Sequence, residues 1–211
     1  MMQIISHRGY WKSPGEKNSE VAFDRSFSMG FGTETDFRDY NGALVISHDM
    51  PDSSSLPMQR FFEIYSQYNA NVPLAINIKA DGLQKLLKEA MTRLGIENYF
   101  AFDMSIPDTL GYMDCGFRFF SRQSEYELQP AFYDRCAGIW LDAFIDIWYD
   151  LDLILDHIAK GKQVALVSPE LHKREPTKLW NFIKETQLYK NNQVILCTDL
   201  PEDAQHHFET L

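Results

Sequence analysis

Long apolar runs are missing from this 211-residue chain: the longest, Gly42 to Ile46 and Ala137 to Leu141, reach five residues, against the roughly 20 a helix needs to cross a bilayer. No membrane span is expected. Cysteine is scarce and odd in number. Cys115, Cys136 and Cys197 stand far apart with no C-x-x-C pair, so neither a disulfide framework nor a zinc ribbon is indicated, and reduced packing residues are expected. Basic residues are outnumbered, 20 Lys and Arg against 30 Asp and Glu. The resulting net charge of −10 repels phosphate polymers and anionic membranes, which excludes nucleic acid as a general partner. The N-terminal segment reaches Ser6, His7 and Arg8 before an apolar h-region can form, so no secretory leader is expected and the cytoplasm is the expected location.

What is present is the balance of an ordinary globular protein, 45% hydrophobic against 24% charged. No internal repeat, Pro/Gly-rich linker or charge block divides the chain, so residues 1–211 are expected to form one domain. Short β-branched or aromatic runs alternate with stretches of helical period, the pattern of βα units around a parallel sheet. Eight strands are predicted: Gln3 to Ser6, Thr33 to Phe37, Leu74 to Lys79, Tyr99 to Asp103, Phe117 to Ser121, Ile139 to Asp142, Val164 to Ser168 and Val194 to Thr198. A ninth run, Ala43 to Ser47, follows Asn41-Gly42, a hairpin signal because both positions tolerate positive φ.

Between the strands, Leu83, Leu86, Leu87, Ala90 and Leu94 predict a helix over Asp81 to Leu94, with Asp81 capping its start and Gly95 its end. Stripes around Ile147, Leu151, Ile154 and Ile158, around Met58 to Tyr65, and around Leu179 to Ile183 predict three more. Ser19 or Asn18 is a candidate cap for a helix carrying Phe23 and Phe27, and Ser105 with Pro107 opens one carrying Leu110. Eight strands with intervening helices in this length fit an α/β fold, a compact (β/α)8 TIM barrel with a small hairpin inserted after strand two. An open doubly wound sheet is the alternative.

In such a barrel the C-terminal ends of the strands converge on one mouth, where the chemistry sits. The residues there are His7, Arg8, Glu34, Asp36, His48, Asp49, Asn77, Lys79, Asp103, Ser121, Arg122, Asp142, Ser168, Glu170, Thr198 and Asp199. Residues i and i+2 of a strand share a face, so Glu34 with Asp36 and Asn77 with Lys79 point the same way. Hard oxygen donors in that number suit Mg²⁺ or Ca²⁺ better than zinc, and such a divalent cation would neutralise an anionic substrate. Asp103, Trp140 and Asp142 read equally as structural groups or substrate contacts. Gly30-Phe31-Gly32 lacks the third glycine of a dinucleotide loop and precedes a strand, so it carries no weight.

Ser6-His7-Arg8-Gly9-Tyr10, Asn18-Ser19 with Ala22-Phe23, Glu34-Thr35-Asp36 and Ser47-His48-Asp49 follow one another in an order and spacing that resemble the glycerophosphodiester phosphodiesterase family. Ala101-Phe102-Asp103 looks like that family's fourth strand, and Ile195 to Pro201 like its closing strand. The resemblance implies a phosphatidylinositol-phospholipase-C-like barrel and metal-dependent hydrolysis of a small phosphodiester. Carried over by position, His7 and His48 are implied as general acid and base, Arg8 and Lys79 as phosphate ligands, and Glu34 and Asp36, with Asn77, as metal ligands. The physical chemistry agrees. Two histidines can deprotonate a nucleophile and protonate a leaving alkoxide near neutral pH, and a guanidinium fork matches two phosphate oxygens.

Three departures from the family pattern stand out. Asn77 occupies the place of the family's third metal carboxylate, Lys17 that of an acidic residue before Asn18-Ser19, and the segment Val164 to His172 lacks the family's Trp-containing pattern. Asn still offers a carbonyl oxygen, as in calcium loops, but the site loses one negative charge. Two other functions use the same residues: a non-catalytic barrel that binds phosphate ligands, and a lyase forming a cyclic phosphate.

Overall fold

The computed structural model describes residues 1–68 and 71–209. The chain runs β1 (Gln3–His7), α1 (Glu20–Ser28), β2 (Gly32–Tyr40), β3 (Ala43–Ile46), β4 (Leu56–Pro57), α2 (Met58–Gln67), β5 (Leu74–Ile78), α3 (Gln84–Leu94), β6 (Tyr99–Phe102) and α4 (Ile106–Asp114). It continues through β7 (Phe120–Gln123), β8 (Gly138–Leu141), α5 (Leu151–Ala159), β9 (Gln163–Val167), α6 (Thr177–Glu185), β10 (Val194–Thr198) and α7 (Pro201–Glu209). All ten strands belong to one sheet. Parallel pairing passes from β7 through β8, β9, β10, β1, β2 and β5 to β6, and the bridge Ala101↔Phe119 links β6 to the segment entering β7. Each parallel strand thus lies beside its chain neighbours and β1 joins the first to the last, an order that a doubly wound sheet does not have. β2 also turns through Asn41 (φ 50°) and Gly42 (φ 79°) to pair antiparallel with β3, and β3 with the two-residue β4.

Period-two alternation sorts the strand side chains into two cores. One face collects Ile5, Phe100, Phe102, Phe120, Trp140, Val167, Ile195 and Cys197, with Phe100 stacked on Phe120 at 3.7 Å and Phe102 on Trp140 at 3.9 Å. Trp140 is therefore a packing group. The other face packs under the helices through Leu74, Ile76, Leu166, Leu196 and the aromatic cluster Phe23, Phe27, Phe37, Phe61 and Phe62. All three cysteines are free, and Cys136 and Cys197 are buried as expected, but Cys115 is exposed. Among the described residues no helix is long and apolar enough to cross a membrane.

Several element boundaries move from their expected places. Helix α3 starts at Gln84, because Gly82 (φ 85°) breaks the backbone after Asp81 and Asp81 accepts from Ser105 Oγ instead of capping. Strand β7 starts at Phe120, since Phe117 is drawn into the helix-side core against Tyr99 and Tyr112. Ile147 precedes α5, which begins where Asp150 caps Leu153 N at 3.0 Å. Leu110 is exposed on α4.

Close approach at β2 sets one sharp requirement. A Cβ on Gly32 would overlap the Pro73 carbonyl oxygen and lie 2.7 Å from Ile5 Cγ2. Gly32→Ala should therefore lower the unfolding free energy by about 2 kcal/mol, because neither backbone nor core can give way cheaply. Urea denaturation reads this directly, and an unchanged midpoint would contradict the packing.

Candidate active site

β1 delivers His7 to the C-terminal edge of the sheet, and the chain then turns through Arg8 (φ 60°) and Gly9 (φ 79°). Glycine is needed at the second of these, since a Cβ there would stand 2.7 Å from Ala22 Cβ. Arg8 N donates to Glu34 O at 2.9 Å and contacts Glu34 Oε2 at 3.2 Å, fixing the turn to β2. His7 Nδ1 lies 2.8 Å from Asp199 Oδ1, the residue after β10. Burial pushes the Asp199 carboxyl up, but the hydrogen bond and charge of His7, the charge of Lys17 and the indole N–H of Trp11 at 3.2 Å together hold it below the usual range. Asp199 is thus a carboxylate and can only accept. His7 Nδ1 therefore donates to it, and the ring's Nε2 lies 3.9 Å from Glu34 Oε2. Asp199 is itself held by Glu170, whose Oε1 accepts from the Asp199 backbone N–H at 3.0 Å and from the Thr198 hydroxyl.

Asp36, fully buried on β2, is the hub of the cationic groups. Its Oδ2 accepts from Asn18 Nδ2 at 2.8 Å and forms an ion pair with Arg8 Nε at 3.1 Å that lacks hydrogen-bond geometry, and Lys79 Nζ stands 3.4 Å from its Oδ1. Lys79 sits there because it follows β5, which pairs with β2 in the register Asp36↔Asn77. Asn18 accepts from Thr35 Oγ1 through its own carbonyl oxygen at 2.9 Å, so its side chain clamps two β2 residues and does not cap α1. Arg8 turns Nε toward Asp36 in an ion pair, and its outer guanidinium nitrogens can meet a ligand.

Glu34 is 1% exposed and its carboxyl is pushed up to about 7 by burial, with the Asp36 charge adding to the effect. Beside Asp36, Asn77 Oδ1 is buried without a hydrogen-bond partner. Two buried carboxyls and one spare amide oxygen are donors that fit a hard, oxygen-seeking divalent cation and offer nothing to a thiophilic one. No cluster of three or more His, Cys, Asp or Glu able to hold a metal occurs among the described residues. A cation at Glu34, Asp36 and Asn77 would also compete with Arg8 and Lys79 for Asp36.

His48 lies beyond β3 on an exposed loop, with Nδ1 2.8 Å from the exposed Asp49 carboxylate and its carbonyl held by Arg38. It lines a cleft of about 800 Å³ together with Arg8, Asn18 and the Ser53–Ser55 segment. The structure therefore brings His7, Arg8, Glu34, Asp36, Asn77 and Lys79 into one group, and carries His48 on the neighbouring wall. Asp199, Glu170 and Trp11 are the supporting residues that sequence reasoning left without a role.

No family model matches the chain, and no curated protein matches it in sequence. Solved structures do match by shape. The glycerophosphodiester phosphodiesterase from Agrobacterium tumefaciens superposes with a TM-score of 0.70 at 15% identity, covering 100% of both chains. The fold is that of this phosphodiesterase. A glycerophosphoryl diester phosphodiesterase from Parabacteroides distasonis is similar too, with a TM-score of 0.67 at 13% identity over 100% of this chain and 87% of that one. At these identities the likeness carries the architecture, and the chemistry has to be argued from the residues at the strand ends.

Proposed function

We propose that the protein hydrolyses a small phosphodiester of the glycerophosphodiester type to a phosphomonoester and an alcohol. In this reading the eight parallel strands form a closed (β/α)8 barrel and the β2–β3 hairpin is inserted after its second strand. The observation that carries the reading is the pairing of Arg8 and Lys79 on buried Asp36, 3.1 and 3.4 Å away, beside a His7 held by Asp199 at 2.8 Å. Two cations on one buried carboxylate leave a net positive charge where a phosphate can sit, and the histidine supplies proton transfer next to it.

In the proposed step, water attacks phosphorus and the bond to the alkoxide breaks. His7 and His48 share the proton transfers, one taking the proton of the attacking water and the other giving one to the departing alkoxide. Both keep Nδ1 against a carboxylate, Asp199 and Asp49, so both can present Nε2. Arg8 and Lys79 hold the non-bridging oxygens and stabilise the charge that grows on them. Glu34, Asp36 and Asn77 are the residues that would hold Mg²⁺ or Ca²⁺, which when bound neutralises phosphate charge.

The decisive experiment is a panel of phosphodiesters assayed with Mg²⁺, Ca²⁺, Mn²⁺ or chelator, with product analysis. Phosphomonoester release supports hydrolysis, a cyclic phosphate product supports the lyase, and phosphate-ligand binding without turnover supports the non-catalytic barrel. Arg8→Lys keeps the charge but cannot serve both Asp36 and a phosphate, so kcat/KM should fall by at least about tenfold. A value within twofold of wild type would make Arg8 structural only.

A further inference from the structure

The hydrogen bond that orients His7 depends on where the chain leaving β10 places Asp199, and that turn is held from β9. β9 and β10 pair in parallel up to Val167↔Cys197, and Ser168 N donates to Cys197 O at 2.9 Å. The chain then enters a single 3-10 turn, Pro169–His172, fixed by the buried Pro169 and by Lys173 in the left-handed conformation (φ 60°), whose N–H donates to Glu170 O at 2.9 Å. This turn sets Glu170 across the end of β10. Its Oε1 accepts from the Thr198 hydroxyl and, at 3.0 Å, from the Asp199 backbone N–H, while Leu200 N donates to Thr198 Oγ1 at 3.0 Å. Resting on the phosphodiesterase reading, we propose that Glu170 is a positioning residue that acts through Asp199, fixing the β10 exit so that the Asp199 carboxylate aligns the His7 ring for proton transfer.

The side chain of Asp199 cannot make good a shift of its backbone. Its Oδ1 accepts from both His7 Nδ1 at 2.8 Å and Trp11 Nε1 at 3.2 Å, so a rotation that follows one donor abandons the other. The backbone is where the freedom would lie, and Glu170 removes it. Thr198 is fully buried, so without the Glu170 oxygen its hydroxyl and the neighbouring N–H would have to move to find other acceptors. Displacing a reacting group by about 1 Å is enough to slow a reaction by up to about 10²-fold. What the two donors need from residue 170 is an oxygen and not a charge, and an amide oxygen can accept from both. Glu170 falls within Val164 to His172, the segment that departs from the family pattern, so this contact is one the resemblance does not imply.

Steady-state kinetics of the full chain with a chromogenic phosphodiester, run as a double-mutant cycle, tests this. Glu170→Ala should lower kcat roughly ten- to a hundredfold with KM within about twofold of wild type, and Glu170→Gln, which keeps the acceptor, should restore at least about half of wild-type kcat. Because Glu170 acts through Asp199, adding Glu170→Ala to Asp199→Asn should cost no more than about twofold beyond Asp199→Asn alone. Losses that multiply in the double variant, a raised KM at wild-type kcat, or a Glu170→Gln as slow as Glu170→Ala overturns the assignment. Proton NMR without substrate gives an independent reading. The low-field signal of the hydrogen-bonded His7 Nδ1 proton, identified by its loss in His7→Ala, should persist in Glu170→Gln and vanish or broaden in Glu170→Ala; an unchanged signal there overturns the positioning role. If Glu170→Ala does not fold, Thr198→Val, which removes one of the two donors, takes its place with a smaller kcat loss of the same kind, and wild-type kcat and signal in that variant overturn the assignment. Should wild type turn over no phosphodiester while the NMR pattern holds, the phosphodiesterase reading fails and the positioning of His7 through Asp199 stands.

Discussion

His7→Ala should lose about 10²- to 10⁴-fold in kcat against any phosphodiester the protein turns over, the range that a positioned general acid or base contributes. The expectation rests on one nitrogen. With Nδ1 committed to Asp199 at 2.8 Å, Nε2 is the nitrogen left for proton transfer, 3.9 Å from Glu34 Oε2. Asp199→Asn is the sharper companion. An Asn amide can rotate to donate to Nδ1, which moves the ring proton to Nε2 and removes the acceptor, so kcat should fall at least about tenfold with little change in KM. Steady-state kinetics with a chromogenic diester, on variants whose circular dichroism matches wild type, reads both. Wild-type turnover by His7→Ala would place the chemistry elsewhere.

The residues that carry this prediction were unequally visible in the sequence. His7 ends β1 and Arg8 follows it, and two-residue spacing alone puts Glu34 and Asp36, inside β2, on one face. The Asp199 contact spans 192 residues and exists only because β10 pairs with β1, so no local pattern announces it. Its signal was topological: once β1 and the last strand are taken as neighbours, the acids that follow the last strand face the histidine that ends the first. Asn18 misled for a different reason. A polar residue before an apolar stripe is a good cap by propensity, but here the buried Asp36 carboxylate takes its amide at 2.8 Å, and a buried carboxylate oxygen left without a hydrogen bond costs more than a cap gains. Asp81 likewise left its helix for Ser105, at the rim of a cleft that Lys79 also lines. The starts of α3 and α5 moved where the chain turns from strand to helix, because side chains there answer to tertiary partners and not to their own segment.

Glu34→Gln should raise the unfolding free energy in chelator at pH 8 and change it little at pH 4. The Glu34 carboxyl is pushed up to about 7 from an ordinary value of 4.5, first by burial and then by the Asp36 charge. Native protein therefore holds a proton that the unfolded chain releases between these values, so stability is fully present below about 4.5 and is lost as pH rises through about 7. The shift corresponds to roughly 3 kcal/mol at most, and the glutamine keeps an oxygen for the Arg8 N–H without a charge to bury. A divalent cation should reverse this balance. It binds the carboxylate and has to displace the proton, so added Mg²⁺ or Ca²⁺ should raise the melting temperature more at pH 8 than at pH 5.5. Glu34→Gln and Asp36→Asn should lose that response, while Asn77→Glu, which replaces the orphaned amide oxygen with a charge two residues before Lys79 on the same strand face, should enlarge it. Calorimetric melts of the four proteins with and without the ion decide the matter. If none of them responds, the ion has no place at Glu34 and Asp36, and Asp103 and Asp142 become the carboxylates to substitute next.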